Sequence, residues 1–247
     1  MDLKLNGQRV LITGGSKGIG AACAQAFLEE GCGVLLAARD GDTLARTADG
    51  LRALGPVETW SGDLSKSSER DRLVAEAGRV DILVNNAGAI PGGGLLDLTM
   101  ERWEQAWALK VMGYIHLTQL YLGAMKARGG GTIVNIIGLA GRHPRYNYVC
   151  GATGNAALIA FTEAVGGKAP DFGVRVFGIN PSGTRTDRIV TLAAQSGQSV
   201  EELSATAPFG RFAEPEEIAR TTAFLASPAC GYVSGTVLDV DGGSGHR

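Results

Sequence analysis

The chain has 247 residues, 45% of them hydrophobic and 19% charged, with a formal net charge of −2. That length and apolar content suffice for a large core, and the even charge balance offers neither nucleic acid nor an anionic membrane surface a partner. The cysteines at 23, 32, 150 and 230 form no CxxC pair, residues 1–5 lack an apolar stretch, and no apolar run reaches membrane-spanning length. These features predict a soluble, cytoplasmic protein with reduced thiols.

In chain order, short apolar runs predict strands at 9–13, 33–38, 57–61, 80–85, 132–137, 174–179 and 236–240. Most are rich in β-branched residues or Leu without a clean period of two, the pattern of parallel strands covered on both faces. Between them, helices are predicted at 18–30, 41–54, 66–78, 100–128, 152–168 and 214–226. This alternation implies right-handed βαβ crossovers and one parallel sheet, an α/β doubly wound fold. Gly129-Gly130-Gly131 reads as a helix stop before a strand, so no linker divides the chain. The stretch 182–207 is the least regular, and a loop of that length is a candidate lid over a ligand.

The sharpest local signal is Thr13-Gly14-Gly15-Ser16-Lys17-Gly18-Ile19-Gly20, directly after the first strand and opening an Ala-rich helix. Glycines there let the backbone turn tightly against a pyrophosphate, while the helix N-terminus offers unpaired N–H groups and partial positive charge. The second strand ends at Ala38, where an NAD-binding chain would carry an Asp, and Arg39 follows. With Lys17, two cations and no carboxylate favour a 2′-phosphate, hence NADP(H) over NAD(H).

Thr-Gly-x-x-x-Gly-Ile-Gly resembles the glycine motif of the short-chain dehydrogenase/reductase family, and the likeness runs through essentially the whole chain. Asp63-Leu64 resembles its adenine-contacting element, and Asn85-Asn86-Ala87-Gly88 its cleft-closing segment. Asn180-Pro181-Ser182-Gly183-Thr184-Arg185-Thr186 resembles the segment beside the nicotinamide, with Ser182 in place of a Gly. Gly210-Arg211-Phe212, Glu214 to Ala219, and Asp241-Gly242-Gly243 resemble its C-terminal signatures. The pattern is most similar to 3-oxoacyl-carrier-protein reductases. The resemblance implies a single Rossmann domain over 1–247, a seven-stranded parallel sheet flanked by helices, and a homo-oligomer, tetramer or dimer. Implied cofactor contacts are Gly14, Ser16, Lys17, Gly18, Ile19, Gly20, Arg39, Asp63, Leu64, Asn86, Ala87, Gly88, Pro181, Ser182, Thr184 and Thr186.

Active relatives use a Tyr as proton donor, a Lys four residues later, a Ser at the end of the fifth strand and an Asn on the long helix. Aligned on the flanking residues, this chain places Gly151, Asn155, Gly138 and Lys110 at those positions. Hydride transfer to a carbonyl needs a proton with it, so two readings stand. One is an oxidoreductase on an alcohol or ketone with a non-standard proton path through Lys110, Tyr148, Tyr146 or His143. The other is a catalytically silent NADP(H)-binding sensor or non-catalytic subunit, with no small-molecule substrate. Lys110 is either an inward general acid or an outward solvated charge, and Cys150 either a nucleophile or a packing residue. Gly138 and Gly151 should also leave a wider, more apolar pocket, or a space that 182–207 fills.

Overall fold

The structure, a computed structural model, describes residues 1–246, without the side chains at 188, 192 and 194–196; Arg247 lies outside the described residues. The strands are β1 (Arg9–Thr13), β2 (Gly33–Ala38), β3 (Val57–Ser61), β4 (Ile82–Asn85), β5 (Gly131–Ile136), β6 (Val174–Pro181) and β7 (Val237–Val240). All pair in parallel in the order β3-β2-β1-β4-β5-β6-β7. The helices are α1 (Gly18–Glu29), α2 (Gly41–Leu51), α3 (Ser67–Ala77), α4 (Met100–Leu109), α5 (Val111–Arg128), α6 (Val149–Lys168), α7 (Asp187–Ser196), α8 (Val200–Ser204) and α9 (Pro215–Ala226).

The register explains the apolar strand sequences. Val10 pairs with Val34 on one face of the sheet and Leu11 with Leu35 on the other, so alternate residues of one strand enter two cores. Val10, Ile12, Leu36 and Val84 join Phe27 of α1 and Ile218 of α9. Leu11, Leu35, Leu83 and Ile133 join Leu73 of α3 and Leu117 and Tyr121 of α5. The strand order reverses between β1 and β4, and the crevice at such a reversal is where doubly wound sheets bind ligands.

Two expectations are corrected. The predicted helix over 100–128 is interrupted at Lys110, where α4 ends and α5 begins. Lys110 keeps helical dihedrals, and neither Pro nor Gly marks the point in the sequence. The stretch 182–207, read as irregular, contains α7 and α8, and Ser199 and Glu202 start α8 as a reciprocal capping box.

Candidate active site

The glycine turn is built by close approach. Gly14 has φ +67°, and a Cβ on it would stand 2.9 Å from Ala87 Cα; one on Gly20 would meet the Gly14 carbonyl oxygen. Lys17, at the N-cap of α1, has extended backbone and no side-chain cap, and no acidic residue occupies the first turn. The leading N–H groups of a twelve-residue helix are therefore presented to an anion with no competing carboxylate. Thr47 Oγ1 donates to the Ser16 carbonyl at 2.7 Å and ties α2 to the turn, while Ile19 packs against the core.

Thr13, which the sequence reading passed over except as the start of the motif, joins this turn to β4. Its buried hydroxyl accepts the N–H groups of Asn86 at 3.0 Å and Ala87 at 3.1 Å. Asn86 Nδ2 in turn donates to the Thr13 and Gly14 carbonyls at 3.0 and 3.2 Å. After β3, the Ser65 hydroxyl and backbone N–H bond to the Asp63 carboxylate and hold its pKa below the usual range. Leu64 is buried, and its carbonyl accepts from Arg70 Nη1 at 2.7 Å; the same nitrogen reaches Ser65 O and Ala108 O. Arg70 is a second missed residue, visible in the sequence only as one more surface-type Arg. Lys17 and Arg39 are both exposed at the rim.

The opposite wall follows β6. Pro181 ends the strand, Ser182 N–H donates to Val240 O at 3.3 Å, and Thr184 Oγ1 donates to Ser182 O at 3.1 Å. Thr186 then comes down on the glycine turn, its Cγ2 3.2 Å from where a Gly18 Cβ would stand. Arg211 and Glu217 pair at 2.7 Å behind this segment, and the Asp241 carboxylate accepts from the N–H groups of Gly243 and Gly245. A cradle that side chains would fill, an uncapped helix start and two rim cations fit a dinucleotide phosphate chain.

Around the ends of β4 and β5 stand the residues whose orientation the sequence leaves open. Lys110 turns inward: its stem lies 3.0 Å from where a Gly88 Cβ would stand, and Nζ donates to Ile137 O at 2.6 Å. Neighbouring side chains stand in the room that the two glycines leave. A Cβ on Gly151 would collide with the Tyr148 ring and stand 2.6 Å from its Oη. A Cβ on Gly138 would stand 2.8 Å from Asn155 Nδ2. Gly138 N–H donates to Asn180 Oδ1 at 3.2 Å, and Asn180 Nδ2 to Asp239 at 2.8 Å, fixing the end of β5 against β6 and β7. Tyr146 is exposed and lies over Gly94, and exposed His143 lies against Gly245 near the C-terminus. Cys150 is fully buried beside Trp107, and burial pushes its thiol pKa up, so it packs rather than attacks.

The family model described as enoyl-(acyl carrier protein) reductase matches residues 14–245. The chain belongs to the short-chain dehydrogenase/reductase family. It is 34% identical to the rhamnolipids biosynthesis 3-oxoacyl-[acyl-carrier-protein] reductase of Pseudomonas aeruginosa, over 97% of this chain and 96% of the relative. L-sorbose reductase from Gluconobacter frateurii, solved with NADPH and L-sorbose, superposes with a TM-score of 0.90 at 30% identity, covering 98% of each chain. A 7α-hydroxysteroid dehydrogenase solved with NADH and 7-oxo glycochenodeoxycholic acid gives 0.88 at 31% identity, over 98% of this chain and 96% of that one. Within this family frame, the segment around Ile137 and Gly138 carries an ammonium from the α4–α5 junction and a carboxamide from α6, while the Tyr148 phenol at the N-cap of α6 lies against Gly151, one turn before Asn155. Such a set can donate protons to a developing oxyanion and hold it in place.

Proposed function

We propose that this chain is an NADP(H)-dependent oxidoreductase that interconverts an alcohol and a carbonyl compound, with Lys110 carrying the proton. The observation that supports it is the inward Lys110 Nζ, 2.6 Å from Ile137 O at the end of β5. A cofactor held by Gly14, Ser16, Gly18, Ile19, Gly20, Asp63, Leu64, Asn86, Ala87, Gly88, Pro181, Ser182, Thr184 and Thr186 would supply or accept a hydride there. Lys17 and Arg39 would pair with its 2′-phosphate; relatives solved with NADPH support that choice, while one solved with NADH shows that the fold alone does not impose it.

On this reading Gly151, Asn155 and Gly138 stand where relatives carry their Tyr, Lys and Ser, and Lys110 stands for their Asn. The Lys110 ammonium donates its proton as negative charge grows on the carbonyl oxygen, and the neutral amine takes it back in the reverse direction. The segment 182–207, anchored by Ser182 at Val240 and carrying α7 and α8, covers the substrate. The chain assembles as a tetramer or dimer through α4–α5 and α6, where Met100 and Met112 are exposed.

The test is a panel of ketones, aldehydes and alcohols followed by NADPH absorbance, with Lys110→Met beside the wild type. Turnover by the wild type and a fall of about 10²-fold or more in Lys110→Met is expected. Turnover that survives the substitution refutes the Lys110 path. Tight NADPH binding with no turnover across the panel replaces this reading with the silent one.

A further inference from the structure

We propose that the Asn155 carboxamide, aimed through the gap at Gly138, is the group that binds and orients the substrate oxygen. This rests on the oxidoreductase reading above and adds a residue to it. Gly138 lies at φ +141°, a backbone that L side chains rarely adopt, and the three atoms nearest to a Cβ placed there all belong to the Asn155 carboxamide. The amide thus holds the place in front of the end of β5 that a side chain at 138 would otherwise take.

Asn155 is only 2% exposed, and its Oδ1 has no hydrogen-bond partner among the described residues. An unsatisfied amide inside a helix contact is unfavourable, and Leu at the same position would avoid that penalty. Its other neighbours on the inner face of α6 carry no such debt: Leu158 is apolar, and Thr162 Oγ1 both donates to Leu158 O and accepts from Asn135 Nδ2. The amide therefore fits a polar partner that the chain does not itself provide.

Lys110 Nζ bonds to the carbonyl of Ile137, the residue immediately before Gly138. Ammonium and amide so flank a single peptide. A carboxamide offers a donor and an acceptor that exchange places when the amide plane turns over. Its N–H can donate to a carbonyl or developing alkoxide oxygen, and its carbonyl can accept from the alcohol. One neutral side chain then serves both directions of the reaction and leaves proton transfer to Lys110. The chemical class recognised is a ketone or its secondary alcohol.

Asn155→Leu tests this, with the panel ketone that the wild type reduces fastest. Its kcat/KM should fall about 10²-fold, the usual loss when one oxyanion donor is removed, while the NADPH dissociation constant stays within about threefold. Independently of turnover, Gly138→Ala should lower the melting temperature by about 2–4 °C more in the wild-type background than in Asn155→Ala. The proposal is overturned if Asn155→Leu stays within threefold of wild-type kcat/KM, if it loses NADPH affinity in parallel, or if Gly138→Ala costs the same in both backgrounds. A wild type that reduces nothing refutes the redox reading itself, a pattern distinct from an active wild type beside an unimpaired Asn155→Leu.

Discussion

Gly151→Ala changes one methyl group in the first turn of α6, and the structure predicts that its effect on stability changes sign with the residue at 148. In an ordinary helix the substitution is favourable by up to about 1 kcal/mol. Here the new Cβ would stand 2.6 Å from Tyr148 Oη and closer still to the ring carbons Cζ and Cε1, so the phenol must swing away. The ring packs, partly buried, against the cluster of Ile90, Leu98, Ala106 and Cys150 with Trp103 and Trp107. Losing on the order of 80 Å² of apolar contact costs about 2 kcal/mol. The net is a destabilisation of about 1 kcal/mol, or about 2–4 °C in a chain of this size. In a Tyr148→Ala background the collision is gone and Gly151→Ala should stabilise, leaving a coupling of about 2 kcal/mol between the two sites. Thermal melting of the wild type, the two single variants and the double variant measures it. Stabilisation by Gly151→Ala in both backgrounds would refute the placement of the phenol in the space at 151, and with it the idea that this glycine is there to admit Tyr148.

Thr13→Val keeps the shape of a buried side chain but leaves the Asn86 and Ala87 N–H groups without their acceptor; it should cost about 2–3 kcal/mol in chemical denaturation and weaken NADPH binding. Arg39→Ala should raise the NADPH dissociation constant about tenfold and leave that for NADH unchanged, read by cofactor fluorescence; equal effects on both would remove Arg39 from the 2′-phosphate. The Arg211 hydrogen bond, helped by the Glu214 N–H, holds the Glu217 pKa down at about 2. A depressed carboxylate pKa contributes stability above the unfolded value that is lost as pH falls through the folded one. The loss of melting temperature between about pH 5 and about pH 2.5 should therefore be shallower in Glu217→Gln. Both side chains are about half exposed, so the difference is small.

The strands were legible because their chemistry is local. The runs at 9–13, 33–38 and 57–61 match the observed bounds of β1, β2 and β3; β1 and β2 are buried on both faces and therefore apolar along their length, whereas β3, at the sheet edge, is largely exposed and buries chiefly Trp60. The glycine turn was legible for a similar reason: its function is a backbone shape. Helix α8 could have been found too, because Ser199 and Glu202 stand at the spacing of a capping box; the surrounding Gln, Ser and Gly residues hid it. The inward turn of Lys110 had no such signal. Its helix carries ordinary helix formers on both sides, and what draws the ammonium in is the Ile137 carbonyl, 27 residues away in sequence.

Reading residues position by position also misjudges Gly138 and Gly151. Each lacks a side chain, which suggests an emptied pocket, yet a site is defined by what occupies space rather than by which residue number supplies it. A helix brings residues three and four apart onto one face. A phenol at 148 can therefore fill the place of a side chain at 151, and an amide at 155 can lie beside 151 while facing the end of β5. The same geometry lets a cation enter from the α4–α5 junction. The pairs 148/151 and 138/155 should then each be coupled in stability, a change at one position altering the effect of a change at the other.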